Sequence, residues 1–94
     1  MAMTDAAIRD NTAFHRFEMN TEAGPAFVTY RHGNGVVTLI HTEVPKALAG
    51  RGVGSALAAG VLDLIRSRGE KVVPRCEFMR GYIERHPDYA ELVK

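Results

Sequence analysis

Glycines stand at every second position of Gly50-Arg51-Gly52-Val53-Gly54, and the chain then runs directly into its longest amphipathic stretch. Glycine lets a backbone turn sharply and lets a ligand approach the main chain closely. The first N–H groups of a helix have no intrahelical partner and point outward, and the dipole adds partial positive charge there. A glycine-rich loop entering a helix is therefore an anion site suited to phosphate, and Arg51 can add a charge-assisted contact. The same glycines also suit a loop that only packs a strand tightly against a helix. Two familiar phosphate motifs do not fit: no Lys follows Gly54 as a P-loop requires. The glycine spacing is not that of a dinucleotide fingerprint either, and no acidic residue about 20 positions on suits a ribose contact.

The rest of the chain is arranged around this loop. Val53, Ala56, Leu57, Gly60, Val61, Leu64 and Ile65 recur at helical spacing. Arg66 and Arg68 suit the negative end of that helix, and Gly69 is placed to terminate it. Upstream, Phe17 and Met19 alternate with Arg16 and Glu18, as do Ala26, Val28 and Tyr30 with their neighbours, giving two strands. Gly33-Asn34-Gly35 is hairpin chemistry. Val36 to Val44 follows as a strand with apolar residues on both faces, Val37 and Leu39 against Val36 and Ile40, so it is expected to be covered on both sides. Downstream, Lys71-Val72-Val73 is a short strand ended by Pro74, and Glu77 to Arg85 reads as a second helix stopped before Pro87. Asp88-Tyr89-Ala90-Glu91 resembles a capping box for one last turn. The predicted order is three strands, a helix, a strand and a helix. This is an α+β fold: an antiparallel meander, a crossover helix after the glycine-rich loop, a further parallel strand and a C-terminal helix.

The 94 residues make one domain spanning 1–94, with the polar, small residues 1–13 expected to be mobile. A net charge of +1 gives no general electrostatic reason to bind nucleic acid or a membrane surface. No apolar run is long enough to cross a bilayer, and the N-terminus has no signal-peptide core. The lone cysteine, Cys76, excludes an internal disulfide and points to a reducing, cytoplasmic setting. His and Cys are too scattered for a structural zinc site.

Glu43-Val44-Pro45 followed by Ala49-Gly50-Arg51-Gly52-Val53-Gly54-Ser55-Ala56-Leu57 resembles motif A of the GNAT acetyltransferase superfamily. Three further segments resemble a group of short, stand-alone GNAT-like domains: His41-Thr42-Glu43-Val44-Pro45, Val73-Pro74-Arg75-Cys76-Glu77-Phe78, and Tyr82-Ile83-Glu84-Arg85-His86-Pro87-Asp88-Tyr89. The likeness covers roughly residues 12–93. Two departures stand out. Ala49 occupies the loop position where Gln or Arg is usual, and the chain has no room for the extra N-terminal helices and C-terminal hairpin that shape the acceptor site of larger members.

The resemblance implies a minimal GNAT-like fold that binds acetyl-CoA as cosubstrate. The pyrophosphate would lie on the amides of Arg51, Gly52, Val53, Gly54 and Ser55, and the pantetheine arm would pair with the backbone around Glu43 and Val44. That arm would enter a gap between splayed strands at Val36–Val44 and Lys71–Arg75. The activity implied is N-acetyl transfer to a small-molecule or protein amine. Such transfer needs a neutral amine and hence a base. His41 and Glu43, two apart on one strand, share a face, and either can serve. Tyr82 lies in the region where such enzymes carry an acid, and a core aromatic is its plainer role. Cys76 is the third catalytic candidate, as a thiol near the thioester, against the plainer role of a small buried hydrophobe. The alternative function is a non-enzymatic acyl-CoA-binding or interaction module that keeps the cradle without a full acceptor site.

Overall fold

Tight turns set the order of the sheet in the structure, a computed structural model that describes residues 7–94. Strand β1 (Arg9–Asn11) pairs with β2 (Arg16–Thr21), β2 with β3 (Gly24–Gly33), and β3 with β4 (Val36–Glu43), all antiparallel. Asn34 and Gly35, at φ 54° and 73°, close the two-residue hairpin between β3 and β4, as their side chains permit. Helix α1 (Val53–Ser67) then carries the chain across so that β5 (Lys71–Pro74) pairs parallel to β4. Helix α2 (Glu77–Arg85) follows, and a 3₁₀ turn at Pro87–Leu92 brings Val93 beside Val72. The five strands lie in chain order. This is the α+β layout read from the sequence, with the meander, the crossover helix and the parallel strand in place.

Three features differ from the sequence reading. Arg9–Asn11 forms an edge strand within the stretch 1–13 expected to be mobile, and residues 1–6 of that stretch lie outside the described residues. Its three residues are too few and too polar to show alternation. The last turn has no side-chain cap, so Asp88 does not open a capping box. Most consequentially, both helices pack on one face of the sheet, and β4 is not covered on two sides: Ile40 is 40% exposed.

The packed face gathers Phe17, Met19, Ala26, Val28, Tyr30, Val37 and Leu39 from the strands, all buried. Helix α1 meets them with Leu57, Ala58, Val61, Leu62 and Ile65, and α2 with Met79, Tyr82 and Ile83. The buried stripe of α1 is rotated from the expected one, taking in Ala58 and Leu62 and leaving Ala56 exposed, because this helix packs against α2 as well as the sheet. Each Leu or Ile buried here contributes about 1.5–3 kcal/mol. A side-chain carbon at Gly60 would lie 2.6 Å from Ile8 Cγ1, so that glycine lets the N-terminal segment lie directly on α1. Among the described residues no helix is long and apolar enough to cross a membrane, which says nothing of strands.

Candidate functional site

Strict alternation along β4 would place His41 and Glu43 beside Leu39, on the packed face. A β-bulge prevents this. Thr29 pairs with His41 while Tyr30 pairs with Leu39, so Ile40 is an extra residue opposite the Thr29–Tyr30 step. Residues directly opposite share a face. His41 and Glu43 therefore stand with Thr29 and Phe27 on the open face, and Thr42, opposite Val28, turns inward. The exposures agree, at 60% for the His41 side chain and 55% for Glu43. His41 Nε2 lies 2.6 Å from Glu43 Oε1, a hydrogen-bonded pair that can accept and pass on a proton. Sequence reasoning brought these two together but had no signal for the bulge that aims them outward.

Beside this dyad the sheet opens. The parallel ladder between β4 and β5 runs from Val36–Lys71 to Leu39–Pro74 and stops. Pro74 has no N–H to extend it, and the next two amides, of Arg75 and Cys76, both donate to Leu39 O as the chain turns into α2. Ile40 to Glu43 continue without a β5 neighbour. The resemblance implies a gap between these two strands, and their pairing ends at this point.

The glycine loop lies at the far end of that gap. Gly50 and Gly52 hold φ 79° and 80° with open space where a side chain would begin, so backbone conformation demands glycine there. Gly54 differs: its φ is ordinary, but a side-chain carbon would meet Phe78 Cζ at 2.9 Å and Val44 Cγ2 at 3.7 Å. Gly52 caps α1 with no side-chain hydrogen bond. Among the described residues the amides of Gly52, Val53, Gly54 and Ser55 have no backbone partner, while Ala56 N bonds to Gly52 O and Arg51 N to Leu48 O. Val44, Gly52, Val53, Gly54 and Ser55, with Phe78 as one wall, line a pocket of about 280 Å³. Arg51 is exposed and does not line it. These four amides at a helix start can accept an anion such as phosphate. No trio of His, Cys, Asp or Glu among the described residues can hold a metal ion.

Cys76 is placed apart from the dyad. It is 8% exposed at the N-cap of α2, on the packed side, with Sγ 3.1 Å from Thr42 Oγ1. Tyr82 is a core residue, its ring stacked 4.0 Å from that of His86, and burial pushes its hydroxyl pKa up. One functional-looking group was missed. Glu18 is buried on the otherwise open face and accepts hydrogen bonds from Arg9, Asn11 and Arg16. The guanidinium of Arg16, then that of Arg9, hold its carboxyl down at about 2. Alternation along β2 gives its face; Arg16, two residues earlier on the same strand, and Arg9 of the edge strand are what cover it.

Comparison with known proteins gives a consistent picture. A family model described as GCN5-related N-acetyl-transferase matches residues 16–92. Protein NATD1 of Homo sapiens is 36% identical over 55 residues, covering 58% of this chain and 49% of that protein. Protein NATD1 of Danio rerio is 30% identical over 78 residues, covering 80% and 71%. The chain spans about half the length of the human, mouse and chicken proteins it matches. The NMR solution structure of a GCN5-like protein from Staphylococcus aureus superimposes with a TM-score of 0.71 at 25% identity, over 98% of this chain and 91% of that one.

Proposed function

The chain belongs to the GCN5-related N-acetyltransferase family, and from that premise we propose that it binds acetyl-CoA on the Gly52–Ser55 amides and transfers the acetyl group to an amine approaching the open face. The observation that carries this reading is the juxtaposition along β4. A ladder that stops at Leu39–Pro74 is followed along the chain by a His–Glu pair turned outward by a bulge and then by an uncapped helix start.

The chain's own residues divide the work. The amides of Gly52, Val53, Gly54 and Ser55 hold phosphate oxygens, with Phe78 and Val44 closing the pocket wall. The β5-facing edge of the backbone at Ile40–Glu43, which has no strand neighbour, offers hydrogen bonds to an extended amide-bearing arm. Acetyl-CoA supplies an activated thioester. The amine nitrogen forms a bond to the acetyl carbon, the carbon–sulfur bond breaks, and the thiolate leaves with the bonding pair. The dyad takes the proton the amine sheds, with Glu43 holding the ring of His41. A proton from water completes the thiol.

Two measurements test the reading. Gly54→Val must displace the Phe78 ring that walls the pocket, and calorimetry should show acetyl-CoA affinity falling by about tenfold or more, or about 1.4 kcal/mol. Glu43→Gln should lower turnover by about 10²–10⁴-fold while acetyl-CoA affinity stays nearly constant. Undiminished affinity in a folded Gly54→Val protein would remove the cradle. Tight binding without turnover of any amine would leave a CoA-binding module in place of an enzyme.

A further inference from the structure

A trough of about 780 Å³ runs over the open face from the β1–β2 turn to the bulge in β4, its lining including Thr12, Phe14, His15, Thr29, Arg31 and Ile40. It adjoins the dyad twice over: Ile40 precedes His41 in the chain, and Thr29 stands opposite His41 across the strands. Its volume is that of a site for a small organic molecule.

Three observations describe what it would hold. First, two large apolar side chains line it. Phe14 is 68% exposed and Ile40 40%, two of the four large hydrophobics left exposed among the described residues. Second, its charge is of one sign. No carboxylate among the described residues lines it. The nearest buried acid on this face, Glu18, is already held by Arg9 and Arg16, and Glu70 is taken by His32 at 2.6 Å. Arg31 makes no ion pair or side-chain hydrogen bond among the described residues, so its planar guanidinium remains to meet a carboxylate through paired hydrogen bonds. Third, one wall is built at a conformational cost. His15 holds φ 55°, one of two non-glycine residues at positive φ among the described residues, the other being hairpin residue Asn34. Its carbonyl is tied to Tyr30 N at 2.9 Å. Held outliers of this kind gather where a fold shapes a site.

Arg31 lies two residues along β3 from Thr29, about 6.6–6.8 Å, and lines the trough. One small molecule can thus place an amine at His41 and an anionic group at Arg31. We propose that the trough is the acceptor subsite and that the acceptor is an amine with an apolar body and a carboxylate, such as an apolar amino acid. This rests on the acetyl-transfer reading for its chemistry and on the trough alone for its selectivity.

The test uses matched pairs: phenylalanine with phenethylamine and leucine with isoamylamine, with spermidine as a purely cationic acceptor. In the native protein kcat/KM should favour the carboxylate-bearing member by about tenfold or more, with spermidine poorest. Arg31→Ala should abolish that preference by raising KM for the acids, leaving the decarboxylated amines unaffected, and Arg31→Glu should reverse it. A second arm needs no turnover. Phenylalanine titrated at millimolar concentration into isotope-labelled protein with CoA should shift amide resonances of Phe14, Thr29, Arg31 and Ile40, and should not do so in Arg31→Ala. Equal turnover within each pair, a preference that survives Arg31→Ala, or shifts confined to other residues would overturn the subsite. Phenylalanine that shifts the trough resonances yet is never acetylated would uphold the subsite and overturn acetyl transfer.

Discussion

On one face of the sheet Phe17, Val28, Tyr30 and Leu39 are sealed beneath two helices, whereas on the other Arg16, Glu18, Thr29, His41 and Glu43 share the surface with half-exposed Phe27 and Ile40. The first face holds by burial, and nothing on it can change size without leaving a void or a clash. The second holds by pairing: Glu18 with two Arg residues, His41 with Glu43, and the Arg16 guanidinium 4.2 Å over the Phe27 ring. A small domain with one layer of helices has only one face on which to build a core. That leaves the other free to carry chemistry, and a single bulge in β4 decides to which face its polar end belongs.

The sharpest way to break this comparison is to truncate one apolar side chain on each face. Leu57, with no exposure in α1, should lose about 2–5 kcal/mol of stability as Leu57→Ala. Ile40→Ala on the open face should change it by less than about 0.5 kcal/mol. Urea unfolding of the two variants decides, and equal losses would mean that the open face is covered in solution.

The packed face was the more legible of the two. Helix α1 announced itself by spacing, β4 and β5 by apolar runs ended at prolines, and the hairpin by Asn34-Gly35, because these signals are local and repeated. Resemblance in Glu43–Leu57 singled out the glycine loop, although it gave no reason why Gly54 differs from Gly50 and Gly52; that reason is Phe78, 24 residues away. What stayed hidden on the open face was non-local. The bulge at Ile40 is a mismatch between two strands, and the burial of Glu18 depends on Arg9 of an edge strand that shows no pattern of its own.

A smaller effect sharpens the pairing side of the comparison. Glu18→Gln keeps the shape of the side chain but removes the charge that three donors share, and should destabilise by about 1–3 kcal/mol at neutral pH. The sign with pH follows from the depressed carboxyl. The unfolded chain protonates near 4.5 and the folded one near 2, so the native advantage is complete above 4.5 and vanishes as pH falls toward 2. Thermal unfolding of both proteins across that window should show the gap closing. A gap of constant width would mean that shape, not charge, is what Glu18 contributes.

The smallest expected effect falls on Cys76, where the two faces come nearest to each other. Its amide bonds to Leu39 O at the point where β4 and β5 part, yet its sulfur turns to the packed side, 8% exposed and within 3.1 Å of the inward hydroxyl of Thr42. The dyad stands on the opposite side of the same strand. A thiol so placed is reached only through local opening, and Ser can keep its contact with Thr42. Cys76→Ser should therefore leave turnover within about twofold, and maleimide labelling of the native protein, followed by intact mass, should be slower than that of a free thiol. If labelling is instead fast and blocked by CoA, the sulfur faces the gap, and Cys76 joins His41 and Glu43 as a group that meets the thioester.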